Sequence, residues 1–123
     1  MMSDAKPEDS LSALRDALRA FAAERDWEQF HTPKNLAMAL AGEAGEVIEH
    51  FQWLTAEQSR CLNDEQKQEV AFELADVLLY LVRLADRLDI DLLSAAHAKM
   101  RLNAQRYPVD KAKGRALKYD RLT

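Results

Sequence analysis

Apolar side chains recur every three or four residues in four separate stretches of the chain, which is the spacing of amphipathic helices. The first predicted helix runs from about Pro7 to Arg25. The second begins at Thr32 and Pro33, a capping residue followed by the residue favoured at the first helical position, and runs to about Leu54.

The other two predicted helices have similar boundary signals. The third begins near Asn63, where Gln66 completes a capping-box pattern, and continues to Leu88. The fourth begins at Asp91 and ends before Pro108, because proline disfavours helix in the residue ahead of it.

The third predicted helix is apolar on two sides. An aliphatic seam at four- and three-residue spacing comprises Val70, Leu74, Val77, Leu81, Leu84 and Leu88. Further apolar residues occupy most of the remaining circumference, namely Phe72, Ala75, Leu78, Leu79 and Val82. The only polar strip comprises Glu69, Glu73, Asp76, Tyr80, Arg83 and Arg87. Because both apolar sides need cover, we expect an all-α, four-helix bundle that self-associates through an apolar helix face.

Composition agrees with this fold class. The 123 residues include only three glycines and three prolines, too few for many short strands. A formal charge of −4 argues against nucleic acid polymers and membrane surfaces as partners. The single Cys61 excludes an internal disulfide and a thiolate zinc site. We expect a cytoplasmic protein with one domain over residues 1–108 and a mobile or draped basic tail over 109–123.

Two pairs of carboxylates carry the strongest chemical signal. Glu43 and Glu46 lie on the second predicted helix, and Glu73 and Asp76 lie on the third. The three-residue spacing puts each pair on one side of its helix. Glu43 also falls within the apolar stripe of the second helix, which comprises Leu36, Leu40, Val47, Phe51 and Leu54.

A carboxylate on an apolar stripe must be protonated, paired or bound to a cation. Four carboxylates converging from two helices would repel one another unless a divalent ion neutralised them. Oxygen ligands without a matched His or Cys set suit Mg²⁺, with Mn²⁺ as a substitute, and Mg²⁺ favours a phosphate-bearing substrate. The other interpretation of such spacing is a solvated helix face without metal.

Several sequence blocks in order resemble one family. They are residues 24–31 (ERDWEQFH), 42–46 (GEAGE), 51–53 (FQW), 73–80 (E-x-x-D-V-x-x-Y) and 99–108 (K-x-x-x-N-x-x-R-Y-P). Together they resemble the MazG-like, all-α nucleoside triphosphate pyrophosphohydrolases, and within them the dCTP pyrophosphatase branch. Many members of that superfamily carry an extra Glu where this chain has Gly42, which leaves the number of metal ions open.

The resemblance implies hydrolysis of a nucleoside triphosphate between the α- and β-phosphates, with dCTP or modified dCTP as substrate and nucleotide-pool sanitation as the role. It implies a homotetramer and the metal-binding, catalytic residues Glu43, Glu46, Glu73 and Asp76. It places Trp27, His31 and Trp53 in a nucleobase pocket, Tyr80 beside the same cavity, and Lys99 and Asn103 on phosphate or sugar.

Three alternatives remain open at this stage. The same fold can act on another or a broader set of nucleotides, or the chain can be a non-enzymatic helical interaction module whose acidic strips select partners. A di-iron bundle would need two Glu-x-x-His pairs, and only Glu28 and His31 have that spacing. His50 and His97 are interpreted as ordinary hydrogen-bonding histidines.

Overall fold

The computed structural model describes residues 10–123, and within this range all regular secondary structure is helical. The α-helices are α1 (Leu11–Glu24), α2 (Pro33–Glu49), α3 (Ala56–Ser59), α4 (Asp64–Arg87), α5 (Leu92–Arg106) and α6 (Val109–Ala112). Two single 3-10 turns occupy Glu28–Phe30 and Tyr119–Arg121. The chain divides into two compact units, one ending at Ile90 and the other spanning Asp91–Thr123. The prediction of an all-α protein is confirmed.

Local caps start the helices where the sequence predicts. The Thr32 hydroxyl accepts a hydrogen bond from the Asn35 N–H at 3.2 Å, and proline follows it at the first helical position. At the start of α4, the Asn63 side chain accepts from the Gln66 N–H at 2.8 Å, and the Gln66 side chain accepts in return at 2.9 Å. The predicted start of the first helix at Pro7 lies outside the described residues.

The predicted end of the second helix at Leu54 is wrong, because α2 ends at Glu49. The following residues form turns, in which the Phe51 N–H donates to the Ile48 carbonyl at 2.9 Å. These turns keep Phe51 and Leu54 half-buried, so the apolar spacing continues although the helix does not. Thr55 then caps the short helix α3.

Two of the longer helices end in a left-handed aspartate. Asp26 follows α1 and Asp89 follows α4, each with φ of 55°. The Trp27 N–H donates to the Ala22 carbonyl at 2.9 Å, and Ile90 makes the corresponding bond after α4. Glycine is the usual residue at this position, but aspartate tolerates the left-handed region better than most side chains. The reversal after α1 sets the position of Trp27.

The core of the first unit is thin. Helix α4 packs along α2 and against α1, and in the described part of this unit only five apolar residues are buried: Ala22, Leu36, Val70, Val82 and Ala85. In contrast, Phe72 on α4 is 66% exposed, and Leu74 and Leu88 of the predicted seam are about half exposed. The seam therefore does not pack along its whole length within one chain. No described helix is both long and apolar enough to cross a membrane.

The second unit consists of α5 and the basic tail. Helix α5 begins after the Asp91 cap and ends before Pro108, as predicted. The tail contains α6 and a 3-10 turn, which nothing in its periodicity predicts. Tyr119 packs against Tyr107 with ring centroids 6.2 Å apart, and the Arg106 guanidinium lies 4.6 Å from the Tyr119 ring centroid. The tail thus contacts the end of α5.

A charged network joins α1 to α4. Arg83 belongs to the polar strip of α4, yet it is only 4% exposed. It lies 3.5 Å from Asp86, and Arg19 of α1 donates to both oxygens of the same carboxylate, with Nε 2.7 Å from Oδ2. The buried guanidinium therefore has a carboxylate partner that is itself held in place from a second helix.

Asp86→Asn is expected to lower the free energy of unfolding by about 2–3 kcal/mol at neutral pH, because it leaves the Arg83 charge buried without its carboxylate. The hydrogen bond from Arg19 lowers the pKa of Asp86 below its ordinary 3.8. This carboxylate therefore stabilises the fold above pH 3.8, and its contribution is lost as the pH falls through the lowered pKa.

Asp16→Asn is the matched control, since Asp16 is an exposed partner of the same Arg19 on α1. It is expected to change stability by less than about 0.5 kcal/mol. Denaturant titrations at neutral and acidic pH measure both variants. Equal losses in the two, or a deficit for Asp86→Asn that persists in acid, would contradict this account of the network.

Candidate metal centre

Four carboxylates from the two packed helices converge in the first unit. One ligand oxygen from each of Glu43 and Glu46 on α2 and Glu73 and Asp76 on α4 lies within 4.8 Å of the others. The three-residue spacing aligns each pair along its helix, and the packing of α2 on α4 turns the two pairs toward each other. The structure thus brings together all four residues predicted as metal ligands.

The cluster is electrostatically unfavourable by itself. A side-chain hydrogen bond with Glu46, then burial and the neighbouring negative charges, raise the pKa of Glu43 from its ordinary 4.5 to about 7. A hydrogen bond with Glu46 and burial also raise the pKa of Glu73. The nearby His50 acts in the opposite direction and lowers this pKa. Both shifts mean that the fold resists full ionisation of the cluster.

Two oxygens in the cluster lack any partner among the described residues. Oε2 of Glu43 and Oε2 of Glu73 are buried and accept no hydrogen bond. A buried carboxylate oxygen without a partner is costly, and a bound cation would supply the missing interaction. An all-oxygen donor set of this kind fits Mg²⁺ or Mn²⁺.

His50 is close to the cluster although its sequence interpretation was an ordinary hydrogen-bonding histidine. Its Nε2 lies 3.7 Å from Oε1 of Glu73, beyond hydrogen-bond length but within ion-pair range. The sequence feature that indicates this closeness is the position of His50 one helical turn after Glu46, because that spacing puts both residues on one face of α2. His50 can therefore modulate the charge of the cluster.

An aromatic group lies around the end of α1. Trp27 makes edge contacts with Phe21 and His31, at centroid distances of 5.7 and 6.2 Å. The Arg25 guanidinium covers the Phe21 ring at 3.6 Å. Trp27 remains 43% exposed, so part of the indole is free to contact a ligand. Phe21 on α1 is itself 45% exposed.

The remaining predicted residues are distributed over three segments. Trp53 lies in the turns after α2 and is 87% exposed. Tyr80 is half-buried, one turn beyond Asp76 on α4. Lys99 and Asn103 lie one turn apart on α5 in the second unit, and both are exposed.

Comparison with known proteins identifies the family. Residues 39–122 match the model of the MazG-like family. The chain is 49% identical to "dCTP pyrophosphatase 1" of Rattus norvegicus over 115 residues, covering 92% of this chain and 68% of that protein. It is 46% identical to "dCTP pyrophosphatase 1" of Homo sapiens over 118 residues, covering 94% of this chain and 69% of that protein.

The chain belongs to the MazG-like family. The predicted resemblance is thereby confirmed. A solved structure, described as a pyrophosphatase from Archaeoglobus fulgidus, superposes with a TM-score of 0.78 at 36% identity. The match covers 88% of this chain and 98% of that one. The family match begins before Glu43 and ends beyond Asn103, so it includes all four carboxylates.

Divalent metal is expected to stabilise this MazG-like chain. At a Mg²⁺ concentration about 100-fold above Kd, binding adds about 2.7 kcal/mol to the free energy of unfolding. Glu46→Gln replaces one ligand and is expected to abolish most of this gain. Glu49→Gln changes an exposed residue one turn along α2 and is expected to retain it. Thermal melts with and without Mg²⁺ measure both, and an equal gain in the two variants would contradict a metal centre here.

Proposed function

We propose that this protein is a Mg²⁺-dependent nucleoside triphosphate pyrophosphohydrolase that converts dCTP, and modified dCTP, to the monophosphate and pyrophosphate. The observation that carries the proposal is the four-carboxylate cluster with two buried, unpartnered oxygens. The 49% identity to a protein named dCTP pyrophosphatase 1 supports the choice of substrate.

In the proposed reaction, a water oxygen attacks the α-phosphorus, the bond from that phosphorus to the bridging oxygen breaks, and pyrophosphate leaves. Glu43, Glu46, Glu73 and Asp76 would hold Mg²⁺, which, when bound, neutralises triphosphate charge. One of these carboxylates accepts the proton that the water loses. The closeness of the four groups supports this role, because it concentrates negative oxygens at a single point.

The nucleobase binds, in this proposal, against Trp27, His31 and Trp53. Trp27 and Trp53 offer exposed indole faces for stacking. Tyr80, one turn beyond Asp76 on α4, is also proposed to bind the substrate. Lys99 and Asn103 on α5 are proposed to bind it through phosphate or sugar. A broader set of nucleotides is the alternative, since stacking discriminates weakly between bases.

A homotetramer is part of the proposal. Phe72 and Leu74 on α4 and Trp53 after α2 are more exposed than large apolar side chains usually are. A second copy of the chain covers these side chains and completes the pocket around Trp53. The cytoplasm is the proposed location, in agreement with a single, free cysteine at Cys61.

A panel of nucleoside triphosphates tests the reaction and its specificity. With Mg²⁺, dCTP is expected to release pyrophosphate and no orthophosphate, and faster than the other nucleotides. Comparable rates for several bases would favour the broader specificity. No pyrophosphate from any nucleotide would favour the non-enzymatic helical module.

Glu43→Gln and Asp76→Asn are expected to lower kcat at least about 100-fold while leaving the helical circular dichroism unchanged, because each removes a negative ligand oxygen. Glu49→Gln on the exposed side of α2 is the matched control and is expected to retain activity. Activity retained in either cluster variant would remove that residue from the site.

Trp53→Ala is expected to raise the KM for dCTP about tenfold with a smaller effect on kcat. The reason is that stacking on a base contributes about 1–3 kcal/mol and acts equally on the ground and transition states. Tyr119→Ala, an aromatic of the tail outside the proposed pocket, is the control. Steady-state kinetics measure both, and an unchanged KM in Trp53→Ala would exclude Trp53 from the pocket.

A further inference from the structure

Helix α4 holds His31 at two points. The Arg83 Nε donates a hydrogen bond to the Nδ1 of the His31 ring at 3.1 Å. One turn further along α4, the Arg87 Nε donates to the His31 carbonyl at 3.0 Å. Two arginines of one helix face therefore fix both the side chain and the main chain of this histidine.

The first of these bonds determines the protonation of the ring. A guanidinium group has only donors, whereas a neutral imidazole has one donor and one acceptor nitrogen. Because Nδ1 faces the Arg83 Nε, it must be the acceptor, and the single ring proton must be on Nε2. The other tautomer would place two N–H groups against each other.

Arg83 cannot easily move away from this position. It is buried against Asp86, whose carboxylate is bound from the other side by Arg19 of α1. Burial first, and the charges of Arg83 and Arg87 next, lower the pKa of His31, in agreement with a neutral ring. The restraint on His31 thus originates in the packing of α1 on α4.

We infer that Arg83 is a positioning residue of the nucleotide pocket: it holds His31 as the neutral Nε2–H tautomer, so that the ring presents a fixed hydrogen-bond donor to an acceptor atom of the nucleobase. The inference rests on the proposed function, which puts His31 in that pocket. The His31 and Trp27 ring centroids lie 6.2 Å apart with 61° between the ring planes, so the imidazole and the indole belong to the same aromatic group.

Nitrogen NMR of the nucleotide-free, 123-residue chain tests the tautomer directly. In the wild type, His31 is expected to carry its proton on Nε2 at neutral pH. Arg83→Met, which fills the space with an apolar chain and leaves Asp86 paired with Arg19, is expected to give a mixture of tautomers. Arg87→Met is the matched control, because it removes only the bond to the main chain, and it is expected to retain the Nε2–H form.

Steady-state kinetics with dCTP test whether this restraint on His31 contributes to substrate binding. Arg83→Met is expected to raise KM about fivefold with kcat changed less than about twofold, since a misoriented donor weakens binding by about one hydrogen bond. Because Arg83 acts through His31, the double variant with His31→Ala is expected to have the KM of His31→Ala alone, within about twofold. If Arg83 had only a structural role, the effect of Arg83→Met on KM would add to the effect of His31→Ala.

Three results would overturn the inference: a wild-type His31 protonated on Nδ1 or on both nitrogens, a tautomer unaffected by Arg83→Met, or additive effects on KM. If Arg83→Met fails to fold, the wild-type spectrum still decides the first of these. A wild type that hydrolyses no nucleotide would instead refute the proposed function. The NMR experiment uses no nucleotide and would still test the role of Arg83 in that case.

Discussion

Mutual repulsion among four carboxylates is the constraint around which the first unit is built. The packing of α2 on α4 buries apolar side chains from both helices and, in doing so, forces Glu43 and Glu46 toward Glu73 and Asp76. Apolar burial opposes this repulsion, and the pKa of Glu43 is raised by a hydrogen bond with Glu46, by burial and by the neighbouring negative charges. Bringing four carboxylates together costs free energy, and the core that opposes this cost is thin. The cluster therefore indicates a functional site.

Helix α4 contributes to three features of the structure. Its polar strip supplies two carboxylates of the cluster and, two turns later, holds His31 through Arg83, whereas Phe72 lies exposed elsewhere on the helix. A substitution on this helix can therefore affect charge, the aromatic group or the apolar surface, depending on its position. The same arrangement links the end of α1, with Trp27, to the helix that carries half of the cluster.

Sequence reasoning predicts the helix starts well because each depends on residues within one turn. Thr32 and Asn63 accept hydrogen bonds from main-chain groups three residues later, so the pattern is visible in the linear chain. The convergence of the carboxylates is predictable for a related reason: spacing aligns each pair, and the apolar stripe around Glu43 shows which side of α2 faces inward. The family resemblance added the roles that spacing alone left open.

The features that sequence reasoning missed have one long-range cause and two local ones. Arg83 is buried because Asp86 and His31 meet it from its own helix and from the 3-10 turn, and a polar residue on a polar strip gives no sign of this. The end of α2 was predicted too late because turns preserve the same apolar spacing as a helix. The left-handed aspartates after α1 and α4 were missed because the usual marker of such a stop is glycine.

The shortage of buried apolar residues within one chain has a thermodynamic consequence. Among residues 10–123, the five buried apolar side chains are small or medium in size, so much of the apolar surface of the long helices stays partly exposed to water in a single chain. If a second copy covers the exposed apolar side chains, as proposed above, folding and association are coupled equilibria, and the melting temperature then depends on protein concentration. Dilution alone would weaken the native state of such a molecule, and substitutions far from the carboxylates could act by shifting the same equilibrium.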